Sequence, residues 1–252
     1  MADGQLILHT GARKVDRAEL LTVDAPPPTE TWFPLRHDHV LSVVENTLGN
    51  AGFSIQRTQL GLSKDNAKFF GTLDLASPLA DGVTLTVGVR NSIDKSLPIG
   101  LCAGNRVFVC DNLAFSSEIY VSKKHTKFGD ERFGEGIAAA MRTLVQYQAA
   151  ETKRIALFQN SAISDDAALA QICRAFDQGI LSSRTLPKAI QEWQEPSHEE
   201  FRPRTVWSLF NSFTEALKAR QNSPAEFANL TMKVYGLLDQ RSAKDVASVV
   251  VG

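Results

Sequence analysis

The chain has 252 residues, 43% hydrophobic and 22% charged, with 27 basic against 28 acidic side chains and a net charge of −1. That length buries a substantial core in one large domain or two smaller ones, while the near-neutral balance excludes a global field that would collect nucleic acid, so any such contact must be local. Apolar runs fall far short of the ~20 residues of a membrane span, the start MADGQLILHTGARK lacks the features of a signal peptide, and three cysteines without a CxxC pair fit reduced thiols in the cytoplasm.

In chain order, residues 1–36 read as an irregular segment stiffened by Pro26-Pro27-Pro28, with Trp32 and Phe33 docking it onto the body. A helix over His37–Asn50 follows from the spacing of Val40, Leu41, Val44 and Leu48. His37 and His39 flank Asp38, but an H-x-H on a helix turns its rings to different faces and no third ligand follows, so no metal site is read there. Strands are expected at Phe53–Leu62 and Lys68–Leu75 around a Lys64-Asp65-Asn66 turn. After Ala80-Asp81-Gly82, Val83, Leu85, Val87 and Val89 alternate with polar or small residues, giving a strand over Thr84–Val89. A second strand is read at Arg106–Cys110, and Arg90 to Asn105 between the two reads as a polar insert. One more short strand fits Glu118–Ser122.

The run VSKKHTKF then leads into a long helix over Asp130–Gln159, with Ile137, Met141, Leu144 and Val145 on its inner stripe and Arg142 on the other face. Shorter helices follow. Asp165–Gln178 is capped by Ser164 and points Leu169, Ile172, Cys173 and Phe176 inward; others run from Thr185 to near Trp193 and over Thr205–Arg220. A last helix, opened by the capping box at Ser223, runs to about Gln240. The pattern predicts an α+β fold: an antiparallel β-meander backed by the long helix, then a C-terminal helical region packed on it. The divisions are residues 1–36, a core over 37–160 and the helical region over 161–252.

The polar insert admits three chemistries. In the first, Asp94 and Lys95 build a turn and Arg90 pairs with a carboxylate. In the second, Arg90 and Lys95 offer charge, and Asn91, Ser92 and Ser96 offer neutral hydrogen bonds, to phosphate and sugar. In the third, Asp94 joins Asp74 and Asp111 at strand ends to hold Mg²⁺, an oxygen-seeking ion. Cys102 and Cys110 stand in apolar strand context and read as buried. Gly100-x-x-x-Gly104 lacks the Gly-Lys-Ser/Thr of a nucleotide loop, and its glycines read as marking a sharp bend or bulge. Lys123, Lys124, His125 and Lys127, between Tyr120 and Phe128, form the strongest local electrostatic signal. Cations beside rings are how sequence-neutral single-strand binders work, and Arg142 extends that track, whereas Trp207 and Phe210 read as core.

RNSIDKSLPIGLCAGNRVFVCDNLAF, with LHTGARKV, TWFPLRHDHVL, GLSKDNAKFFG and KKHTKF in matching order, resembles the signature of a phage/plasmid-like family of unknown function found on bacterial mobile elements. The likeness runs to about Trp207 and implies a setting rather than a mechanism. A purely architectural analogy links the sheet-then-long-helix order to Redβ-type single-strand annealing proteins. The expectation is a cytoplasmic mobile-element protein that binds, and in recombination anneals, single-stranded DNA without catalysis or cofactor. Arg90, Asn91, Lys95, Lys123, Lys124, His125, Lys127 and Arg142 carry the contact. A homo-oligomer, joined through Thr205–Arg220 and the tail Val246–Val251, supplies multivalency. The alternatives are a Mg²⁺-dependent enzyme acting on nucleic acid and an interaction protein that does not touch it.

Overall fold

Alternating side chains lay down one antiparallel sheet of six strands in meander order. The strands are β1 (Arg13–Val15), β2 (Ile55–Leu62), β3 (Lys68–Ala80), β4 (Val83–Ser92), β5 (Ile99–Val107) and β6 (Asn112–Lys123). Helices are α1 (Arg17–Leu21), α2 (His37–Asn50), α3 (Gly129–Asn160), α4 (Asp165–Asp177), α5 (Leu186–Gln194) and α6 (Val206–Lys218), with a 3₁₀ turn at Glu199–Phe201. This computed structural model describes residues 12–107, 112–218, 226–227 and 229–239, the last stretch being helical. The architecture is α+β, as the patterning predicts.

One sheet face is apolar. Val87 of β4 pairs with Leu73 of β3 and Ala103 of β5, and Val89 with Gly71 and Leu101. Val87, Val89 and Val107 are all buried, whereas Val109 lies outside the described residues. Across this face runs α3, 32 residues and about 48 Å long. Its buried stripe of Phe133, Ile137, Met141, Leu144, Tyr147, Glu151, Ile155 and Phe158 steps by three or four. One apolar cluster continues from Leu20 of α1 through the sheet and α3 to Leu238, so the C-terminal helices share the core of the sheet. The alternate face is polar yet buried. Arg106 is fully buried there, donating from Nε to Asp74 Oδ1 at 2.9 Å and from Nη2 to Thr72 Oγ1 at 2.9 Å.

Several elements depart from the sequence reading. Within residues 1–36, β1 extends the sheet and α1 is capped by Asp16, which accepts from Glu19 N. Most of the expected polar insert is strand, because β4 runs on to Ser92 and β5 begins at Ile99. The glycines read as marking a bend or bulge lie within β5, where the pairing with β6 shifts register between Cys102 and Gly104, and both serve close cross-strand packing. A Cβ on Gly104 would lie 1.9 Å from the Ala114 carbonyl oxygen, and one on Gly100 would lie 2.8 Å from Arg90 Nε. β3 runs on to Ala80 through irregular register at Pro78, and β6 has 12 residues rather than five. Cys173 is exposed and Phe176 is 42% exposed, not inward; Val145, placed on the inner stripe of α3, is 62% exposed. α6, expected to join subunits, is buried along nearly its whole length within the chain: Val206 to Phe213 all lie in the interior. The tail Val246–Val251 lies outside the described residues.

Candidate nucleic-acid interface

Two hairpin turns of one design organise one end of the sheet. In Ser63–Lys68, Ser63 Oγ accepts from Lys68 N at 2.9 Å and Asp65 Oδ1 accepts from Ala67 N at 3.1 Å. In Ser92–Leu97, Ser92 Oγ accepts from Leu97 N at 3.0 Å and Asp94 Oδ1 accepts from Ser96 N at 2.9 Å. The residue after each aspartate takes a left-handed backbone, Asn66 at φ 59° and Lys95 at φ 67°. Lys68 pairs with Ser92, which sets the turns side by side. Burial pushes the Asp94 carboxyl up, but hydrogen bonds from Ser96 and Ser92 and the charge of Lys68 outweigh it and hold Asp94 below its ordinary value.

The Lys95 side chain reaches back across the turn, its Nζ 4.9 Å from the centre of the Trp32 ring. At the same end β6 finishes at Lys123, paired with Ile99, and the chain passes through Lys124, His125 and Lys127 into α3. Lys124 and Lys127 are exposed and Lys123 half-buried. Phe128, 53% exposed, has Lys127 Nζ 5.8 Å and the Arg132 guanidinium 5.9 Å from its ring centre. Tyr120, 51% exposed, has the Arg90 guanidinium 5.9 Å from its ring centre, and Arg90 Nη2 donates to its hydroxyl at 2.8 Å. Three rings, each with a nearby cation, lie toward one end of the sheet, Tyr120 on the face turned away from α3 and Phe128 at the start of α3.

Not every candidate joins them. Asn91 is fully buried, and its Nδ2 donates to the Leu35 carbonyl at 2.8 Å and to His37 Nδ1 at 3.0 Å. It is a structural tie between β4 and the start of α2. His37 is buried too; its Nε2 meets the Asn66 carbonyl at 3.0 Å. With Nδ1 accepting, Nε2 carries the hydrogen. His39 instead pairs with Asp130 at 2.8 Å. His125 is 5% exposed, so it contributes no surface charge, and burial holds its ring below the ordinary histidine value against the Leu97 and Phe33 carbonyls. Arg142 is exposed on α3 but 13 residues beyond its start, about 20 Å along the axis, and lies apart from the cluster.

The described carboxylates of the alternative reading do not converge. Asp74 pairs across the sheet with Thr86, eight residues before Asp94 along one hairpin arm, a separation of roughly 25 Å. Its Oδ1 already accepts from Arg106 and Thr86. Asp111 lies outside the described residues, among which no group of three His, Cys, Asp or Glu could hold a metal ion. Cys102, read as buried, is half-buried; burial pushes its thiol up to about 12, which disfavours the nucleophilic thiolate. Two clefts of about 530 and 410 Å³ open at the opposite end of the sheet, by Asp81 and Gly82, and among the described residues their walls carry no basic side chain.

The sequence reading missed Arg132 and the part taken by Trp32. The spacing of Phe128 and Arg132 on one helix was a signal for the first. Nothing local signalled that Lys95 would fold back onto Trp32. No protein-family model, curated protein or solved structure matches the chain. Among the described residues no helix is long and apolar enough to cross a membrane.

Proposed function

We propose that the protein binds single-stranded DNA, without catalysis, at the end of the sheet formed by the β4–β5 turn, the end of β6 and the start of α3. The observation that carries this is the pairing of cations with exposed rings there: Lys127 and Arg132 on Phe128, and Arg90 on Tyr120. Phosphates need cations, and bases need rings that can be stacked upon without reading sequence. Lys123, Lys124, Lys127, Lys95 and Arg90 neutralise phosphates and release counterions, while Phe128 and Tyr120 stack on bases. A chain of net charge −1 binds weakly through one such patch, so we place it in a homo-oligomer that engages one strand many times. Strand annealing in the recombination of a phage- or plasmid-like element is the setting we propose.

Fluorescence anisotropy with labelled oligo-dT and with a duplex of equal length, each with and without Mg²⁺, tests the reading. Tighter binding to the single strand, unchanged by Mg²⁺ beyond its ionic strength and with the DNA left intact, is expected. Equal binding to both forms, or cleavage that needs Mg²⁺, contradicts it.

A further inference from the structure

Residues 23–36 have no regular secondary structure and cross the basic end as a strap. Arg36 clasps its two ends, donating from Nη1 to Asp24 at 2.5 Å and from Nη2 to the Leu21 carbonyl at 2.7 Å, while Nε donates to Asp38 at 2.9 Å. Between the clasped ends the seat is held by few bonds. Phe33 N donates to the His125 carbonyl at 3.0 Å, Asn91 donates to the Leu35 carbonyl, and Trp32 lies under Lys95. Beneath the strap the polar groups are badly served. Trp32 Nε1, Asn91 Oδ1 and both ring nitrogens of His125 are buried without a hydrogen-bond partner among the described residues. The His125 ring nitrogens face the Leu97 and Phe33 carbonyls without reaching full hydrogen-bond geometry. Two imidazoles, His37 and His125, are enclosed in this one seat.

We propose that residues 23–36 form a proton-gated strap over the nucleic-acid site: seated at neutral pH, it lifts when His37 and His125 take up protons, freeing Trp32 to stack on a base and Lys95 to meet a phosphate. This rests on the reading of the basic end as the binding site. Burial is the main cause holding both histidines below their ordinary value. Asp38 and Asp94 favour the charged form of His37 and His125 opposes it. Charged groups on the elements around His125 are Asp24, Glu30 and Arg36 of the strap, Asp38 of α2, Asp94 and Lys95 of the hairpin, Lys124 and Lys127 of its own loop, and Asp130 of α3; Arg36 is paired with Asp24 and Asp38.

The sign follows from linkage. A base held below its ordinary value when seated takes a proton more readily once the strap lifts, so opening is favoured as pH falls below about 6.5, the value of a free histidine. From pH 7.5 to 5.5 the opening equilibrium rises about tenfold per histidine, provided each stays neutral while seated. Hydrogen exchange on the free protein reads this directly. After correction for intrinsic exchange, the Phe33 amide should lose about ten- to a hundredfold in protection over that range, while the Val87 amide of β4 stays constant. His125→Phe should remove one of the two tenfold steps. Constant Phe33 protection, or equal loss at Phe33 and Val87, overturns the gate. The binding reading is judged separately by oligo-dT anisotropy at pH 7.5: normal binding with a pH-insensitive Phe33 amide sinks the gate alone, and a responsive amide without DNA binding sinks the site alone.

Discussion

Glu151 shows how much one buried side chain can tie together. It is fully buried on α3, accepts from Asn105 Nδ2 of β5 at 2.8 Å and from the Tyr235 hydroxyl at 2.5 Å, and pairs with Arg154. Burial pushes its carboxyl above the ordinary value, outweighing Arg154, Tyr235 and Asn105, which pull it down. A carboxyl raised in the folded state binds its proton more tightly there than in the unfolded chain. Stability therefore declines as pH climbs from the unfolded value of about 4.3 through the raised one. Glu151→Gln keeps most hydrogen bonds and removes that titration. In urea unfolding it should be closest to, or above, the parent at neutral pH and fall behind as pH drops below 5, and a difference that does not vary with pH would contradict this. Arg106 and Asp74 are the opposite case at this scale, a fully buried pair whose value lies in not being broken: removing one partner costs about 3–5 kcal/mol.

Among the elements, the β5–β6 pairing is closely constrained at Gly104. Gly104 is met by the Ala114 carbonyl at 1.9 Å from any added Cβ, whereas Gly49 near the end of α2 has nothing within 4 Å. Gly104→Ala should cost roughly 3 kcal/mol or more, at the upper end of overpacking. Gly49→Ala should be neutral or stabilise by up to about 1 kcal/mol. Urea midpoints separate the two, and a tolerated Gly104→Ala would refute the assigned register. The sequence was most legible where one period dominates: α2 has the predicted bounds, α3 differs by one residue at each end, and β4 shows its alternation. It was least legible in β5, where glycines, Asn105 and Arg106 hide a central strand. Their reason is cross-strand: Gly104 makes room for β6, Asn105 reaches Glu151, and Arg106 reaches Asp74. No window of sequence contains those partners. The same holds for the candidate site. The basic run is visible in a line of residues, but the burial of Asn91 and His125 and the stacking of Lys95 on Trp32 depend on a strap some 60 to 90 residues away in the chain.

On the scale of the whole molecule, near-zero net charge coexists with a local concentration of cations and exposed rings at one end of the sheet. The other end offers clefts with Asp81 and Glu200 in their walls and, among the described residues, no basic side chain. Such a polar arrangement would favour the proposed approach of a polyanion to one end over the other. With α6 committed to the core, the proposed self-association would use a surface other than that helix. The measurement that bears most directly on the account is the salt dependence of oligo-dT binding by the parent and by a variant with Lys123, Lys124 and Lys127 all replaced by Ala. Each phosphate contact contributes a log–log slope of about 0.7 on a single strand, so the variant should bind more weakly with a slope shallower by about 2. Its thermal stability should change little, because Lys124 and Lys127 are exposed and Lys123 is half-buried, and surface substitutions cost at most about 0.5 kcal/mol each. A variant that binds as tightly as the parent at every salt concentration, with the same slope, would contradict the assignment of this end of the sheet as the nucleic-acid site.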